Sequence, residues 1–185
     1  MNKQDKDIKY QGFTPPGFIV GVGRSGTTLL ASILNRHPEI CVTPETHFFR
    51  LVYNYPGGIK NFERRWPYSL KEIMQKMHPT KGWQPNSNII IERFNSYPGI
   101  AAIFKAIGED IAAKNNKKLW LEKTPNHIIY LSFIRKLFPN APIIHIVRDA
   151  RDVGLSLLRM KWASNSYLEN LLHWKRCICL SKDFF

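Results

Sequence analysis

Residues 18–30 read F-I-V-G-V-G-R-S-G-T-T-L-L. An apolar run ends in three glycines, Gly21, Gly23 and Gly26, which enclose Arg24 and Ser25; Thr27, Thr28 and a new apolar periodicity follow. This order dictates a buried strand, a tight loop and a helix N-terminus. The glycines let the backbone curl and approach a ligand with no Cβ in the way. The helix start offers unpaired N–H groups and a partial positive charge, which together hold an anion. The spacing Gly21-x-x-x-x-Gly26 meets the first half of the P-loop pattern, but Thr27 stands where a P-loop has Lys. Arg24 is the strong cation of the loop, permanently charged and able to fork onto phosphate or sulfonate oxygens. A turn that only joined strand to helix would not need Arg, Ser and two Thr together.

The rest of the chain repeats the strand–helix alternation. Strands are expected at Phe18–Val22, Ile40–Val42, Leu119–Glu122 and Pro142–Val147. Helices are expected at Thr27–Arg36, with Leu29, Leu30, Ile33 and Leu34 on one face, and at 46–54, 100–114, 127–137, about 152–161 and 167–181. Residues 1–17 read as a polar tail, and 18–185 as one α/β domain. Within it, 55–98 is an irregular insertion with one or two helices, where Ser69 is the expected N-cap of 70–77. Alternating strands and helices imply a central parallel sheet flanked by helices in a three-layer, P-loop-like fold. Ligands of such sheets bind at the carboxyl ends of the strands. The polar clusters at 23–28, 123–127 and 148–156 each follow a strand and should meet on one edge.

Composition narrows the class of partner. Hydrophobic residues make up 44% of the 185, enough for a folded core. The 27 basic and 14 acidic residues leave a net charge of +13, which favours a nucleotide, a nucleic acid, an acidic substrate or a membrane surface. Cys41, Cys177 and Cys179 do not form a disulfide framework. No metal site is expected. The start of the chain lacks the apolar core of a signal peptide, and no run reaches the ~20 apolar residues that span a bilayer. A cytoplasmic, soluble protein is the expectation.

Arg148 and Ser156 lie eight residues apart, at a strand end and two turns into the next helix, where they would converge on a second anion. Taken alone, Arg148, Asp149, Arg151 and Asp152 read equally as surface ion pairs around a capped helix. Together with R-S-G-T-T-L-L at 24–30, the segments E-K-T-P-N-H at 122–127 and I-V-R-D-A-R-D-V-G-L-S-L at 146–157 resemble the sulfotransferases that use 3′-phosphoadenosine 5′-phosphosulfate (PAPS). The bacterial sulfotransferase-like proteins and the tyrosylprotein sulfotransferases are the most similar branches. The resemblance covers residues 18–161 in order, weakly through 55–98.

This resemblance implies roles at matched positions. Gly23, Arg24, Ser25, Gly26, Thr27 and Thr28 would hold the 5′-phosphosulfate, and Arg148 with Ser156 the 3′-phosphate. Glu45, in P-E-T-H, would be the base, with Arg24 and Lys123 stabilising charge on the transferring group and no metal required. His47 and His127 are alternative bases, and Trp66, Trp83 and Tyr97 line either an acceptor pocket or the core. The acceptor would be a hydroxyl or amine compound, with no specific nucleic acid and no membrane span. The resemblance also implies a family fold that continues beyond this length and completes the nucleotide pocket. Two rivals remain: a P-loop kinase or NTPase, which the loop lacking Lys disfavours, and a non-catalytic basic nucleic-acid-binding domain, which would explain the charge alone.

Overall fold

A computed structural model of the chain describes residues 16–77 and 85–185. Four parallel strands form the sheet: β1 (Gly17–Gly21), β2 (Ile40–Thr43), β3 (Leu119–Lys123) and β4 (Ile143–Ile146), in the order β2-β3-β1-β4. All five residues of β1 are buried, because the strand has a neighbour on each side and a layer on each face. That is why its sequence is a continuous apolar run rather than an alternation. β2 and β4 are the edge strands, and β4 is the more exposed example. It is shorter than its six-residue sequence signal, and Ile144 and Val147 remain 37% and 57% exposed.

The connections set the layers. From β1 the chain runs through α1 (Thr27–Leu34) across β3 to β2. It returns to β3 through α2 (Phe48–Tyr53), α3 (Gly58–Arg64), α4 (Tyr68–Lys76), α5 (Ser87–Arg93) and α6 (Ile100–Lys114) among the described residues. It then passes β1 to reach β4 by way of a 3-10 segment, Pro125–Tyr130, and α7 (Leu131–Leu137). The first crossover runs opposite to the other two. Right-handed connections therefore put α1 on one face and α6 and α7 on the other. The loops leaving the neighbouring strands β1 and β3 thus run to opposite faces, so the carboxyl ends of this pair form the switch point where such sheets bind ligands.

The core lies on the α6–α7 face. Phe18 of β1 stacks on Phe104 at 5.6 Å and meets Phe49 and Phe138 at 6.0 Å, and Phe104 meets Trp120 of β3 at 5.3 Å. Aromatic clusters of this kind dominate the burial energy of a small core. The α1 face packs through small residues. Thr27 and Ala31 are the buried residues of α1, while Leu29 and Ile33 are 68% and 58% exposed.

The described residues of the stretch 55–98 carry three helices instead of one or two, and Phe62, Leu70 and Ile73 from it are core residues. Ser69 does not cap α4. It lies inside the first turn, and its hydroxyl donates to the carbonyl of Phe62 at 2.7 Å, tying α4 to α3. Trp66 packs against Tyr97 at 5.9 Å, and Tyr97 against Phe62 at 6.4 Å, so both join the core. Trp83 lies outside the described residues. Two further helices, α8 (Ala150–Leu157) and α9 (Tyr167–Ser181), pack on each other and close the chain around the end of β4.

Candidate active site

The loop after β1 begins where the backbone of one strand touches another. A Cβ on Gly21 would lie 2.6 Å from the carbonyl oxygen of Ile146 in β4. Arg24 then takes a left-handed backbone conformation, φ 73°, and Gly26 another, φ 101°. These two reversals aim the start of α1 back over the strand end. Gly26 has no side chain to cap the helix, so the first-turn N–H groups have no side-chain acceptor. The Ser25 hydroxyl is buried and has no hydrogen-bond partner among the described residues. An orphaned buried donor beside uncapped amides fits an oxyanion.

A cavity of about 570 Å³ opens from this loop. Gly23, Arg24, Thr27 and Thr28 form its floor, Glu45, His47 and Arg50 one wall, and Pro125, Asn126, Met160 and Trp162 the rest. Glu45 comes from the turn after β2, and its carboxylate pairs with the Lys123 ammonium from the end of β3 at 2.7 Å. The Lys123 side chain is 10% exposed, so water screens this pair little on the lysine side. His47 Nε2 lies 3.7 Å from the other Glu45 oxygen. Burial, with Arg50 adding to it, holds the His47 imidazole below its ordinary value, so it is neutral near neutrality. The segments that carry Glu45 and Lys123 are 78 residues apart in sequence and meet because β2 and β3 are neighbours.

Glu122, beside Lys123, is fully buried. One carboxylate oxygen accepts from the Thr46 amide at 3.2 Å, the Thr46 hydroxyl at 2.8 Å and the Thr124 hydroxyl; the other accepts from His127 Nδ1 at 2.8 Å. Burial alone would raise its carboxyl pKa, but the His127 ring and the hydroxyls outweigh burial and hold it below the usual carboxylate range. His127 is thus bound to Glu122 and fully buried, away from the cavity lining.

The third cluster joins the first. Arg24 Nε donates to the Ser156 hydroxyl at 3.0 Å, and Arg148 Nη1 to the carbonyl oxygen of Arg24 at 3.4 Å. The polar clusters after β1 and β4 are therefore contiguous, linked by Arg24. Arg148 and Ser156 lie beside the cavity rather than among its lining residues. Trp174 of α9 anchors the strand end by donating to the carbonyl of Arg148 at 3.0 Å. The surface ion pairs are present as well. Arg148 meets Asp152 at 3.2 Å and Arg151 meets Asp149 at 2.8 Å, which lowers the Asp149 carboxyl to about 2. Among the described residues no group of three or more His, Cys, Asp or Glu side chains is placed to hold a metal ion.

Sequence reasoning missed three contributors. Arg50 and Trp162 carry no motif, and only the fold brings them to the loop. A Cβ on Gly23 would lie 3.1 Å from the Trp162 ring, so the glycine also makes room for that ring. Glu122 stood inside a quoted motif, and its signal was an acid followed by Lys and Thr with a His five residues on.

Comparison with known proteins follows this geometry. A sequence model described as the Sulfotransferase family matches residues 15–180. Human protein-tyrosine sulfotransferase 1 is 29% identical over 95% of this chain and 44% of its own length. Nodulation protein NoeE of Sinorhizobium fredii is 26% identical over 76% of this chain and 30% of its own. The chain thus spans less than half the length of these curated relatives. The sulfotransferase domain of the Synechococcus PCC 7002 olefin synthase superposes with a TM-score of 0.63 at 22% identity, over 96% of this chain and 63% of that one, and shares its fold. A family match over nearly the whole chain, on the same α/β scaffold, makes this protein a member of the sulfotransferase family.

Proposed function

We propose that the chain moves a sulfuryl group from PAPS to a hydroxyl or amine acceptor by in-line transfer. The observation that carries this reading is the Glu45–Lys123 pair, 2.7 Å apart on the wall of a cavity floored by an oxyanion loop. PAPS, as donor substrate, supplies an SO₃ group on a phosphate leaving group. The uncapped amides of α1 and the orphaned Ser25 hydroxyl suit the 5′ end. Arg148 and Ser156 suit the 3′-phosphate, a forked cation beside a hydroxyl donor.

Transfer breaks the bond from sulfur to the bridging phosphate oxygen and forms one from sulfur to the acceptor. Little covalent chemistry falls to the protein, so position and charge dominate, as in phosphoryl transfer. Glu45 takes the acceptor proton. Lys123 holds the Glu45 carboxylate in place through their 2.7 Å contact, and its ammonium meets charge growing on the sulfuryl side. Arg24 offers further N–H donors between the two phosphate ends. Trp162, Met160 and Pro125 give the cavity an apolar wall against which an acceptor body can rest.

Glu45→Gln keeps the shape and removes the base. With PAPS and 4-methylphenol, an acceptor whose hydroxyl keeps its proton near neutrality, release of 3′,5′-diphosphoadenosine should fall by about 10²-fold or more, within the range of a positioned base. Affinity for 3′,5′-diphosphoadenosine should stay within about twofold by calorimetry. Unchanged turnover would remove Glu45 from the mechanism.

A further inference from the structure

We propose that Glu122 is the positioning residue that builds the Glu45 side of the site, a role that rests on the transfer reading above. Glu122 pairs in register with Phe18, so its side chain emerges on the face of the sheet that holds the aromatic core. A charge buried there is costly unless every oxygen is paired, and a hydrophobic residue of similar volume often serves stability as well or better. Stability alone therefore gives weak reason for this carboxylate.

Its partners supply a better reason, because they close the turn that carries the base. Three successive backbone amides of that turn are satisfied through one network. The Thr46 amide donates to Glu122, the His47 amide to the Thr124 hydroxyl at 3.3 Å, and the Phe48 amide to the Thr46 hydroxyl at 3.2 Å. Both hydroxyls in turn donate to Glu122. His47 sits at φ 51°, a conformation that a non-glycine residue keeps only when its surroundings hold it there. Glu45 directly precedes this turn, and Lys123 directly follows Glu122 on β3. One buried carboxylate thus fixes the register of the turn against the strand end, and with it the approach of Glu45 to Lys123. His127 closes the remaining oxygen and completes the lock.

A misplacement on the order of 1 Å can cost about 10²-fold in rate. Glu122→Gln turns an amide toward donors, and Thr46→Val removes one hydroxyl link while keeping the backbone amide. The readout is kcat per donor-binding site with PAPS and 4-methylphenol, whose hydroxyl keeps its proton near neutrality. Sites are counted from the calorimetric stoichiometry of 3′,5′-diphosphoadenosine. Both variants should lose about 10- to 100-fold in kcat per site, with KM for PAPS and the stoichiometry unchanged, and Thr46→Ser should restore most of the loss. A kcat per site equal to wild type, with or without a loss of sites, would reduce Glu122 to a structural residue and overturn the proposal. If Glu122→Gln does not fold, Thr46→Val against Thr46→Ser decides the matter alone. A wild type that neither binds 3′,5′-diphosphoadenosine nor consumes PAPS overturns the transfer reading, and this role with it.

Discussion

Gly21 shows how little freedom single residues have at this site. Its missing Cβ lets β1 and β4 approach at the point where the loop into α1 departs, and the obstacle to adding one is the backbone carbonyl of Ile146, which cannot rotate away. Gly21→Ala should therefore destabilise the fold by about 1–3 kcal/mol in urea denaturation, the range for overpacking. A change below about 0.5 kcal/mol would mean that the strands are not in this contact. Charge, hydroxyl donors and strand-end spacing singled out Arg24, Ser25, Arg148 and Ser156 in the sequence, the family resemblance alone singled out Glu45 and Lys123, and the fold brings all six to one edge of the sheet. Glu122 was not legible in the same way. Whether an acid is solvated or locked in a core depends on residues such as Phe18, Thr46 and His127, which only the sheet brings together.

Helix α1 shows where pattern reading fails at the scale of elements. Apolar residues at 29, 30, 33 and 34 mark one face, yet the packed residues are Thr27 and Ala31. The reason is the loop. To bring its N-terminus over the end of β1, the helix must lie close to the strand, and only small side chains allow that approach; the Thr27 methyl would lie 3.5 Å from a Cβ at Gly21. Periodicity identifies an apolar face but not which face a neighbour covers. Leu29→Ser combined with Ile33→Ser should cost under about 1 kcal/mol in total, as exposed substitutions do. Ala31→Leu should cost about 1–3 kcal/mol. The reverse ranking in chemical denaturation would contradict this packing. Where no such competing demand exists, the reading was close: α6 and α9 occupy the spans their sequences predict, 100–114 and 167–181. The segment after β3 was read as one helix from 127. It instead begins as a 3-10 turn at Pro125 and becomes α-helical at Leu131, with His127 bound to Glu122 in between.

For the whole molecule, parallel strands whose carboxyl ends share one edge gather three clusters that are far apart in sequence. The central claim is that this edge reads a doubly phosphorylated adenosine, with the α1 loop at one end and Arg148 and Ser156 at the other. The net charge of +13 favours any anion, so charge alone cannot make this distinction. Position can, because Arg148 Nη1 reaches the carbonyl of Arg24 and Arg24 Nε reaches Ser156, which makes the two ends one continuous surface. Calorimetric titration of wild type and Arg148→Ala with 3′,5′-diphosphoadenosine, adenosine 5′-monophosphate and ATP–magnesium tests this directly. Wild type should prefer 3′,5′-diphosphoadenosine to both others. Arg148→Ala should weaken that ligand about 10- to 100-fold, the loss of a charge-assisted contact, while leaving the monophosphate nearly unchanged. Equal losses for the two adenosine ligands, or a wild type that binds ATP–magnesium as tightly as the 3′,5′-diphosphate, would contradict the account.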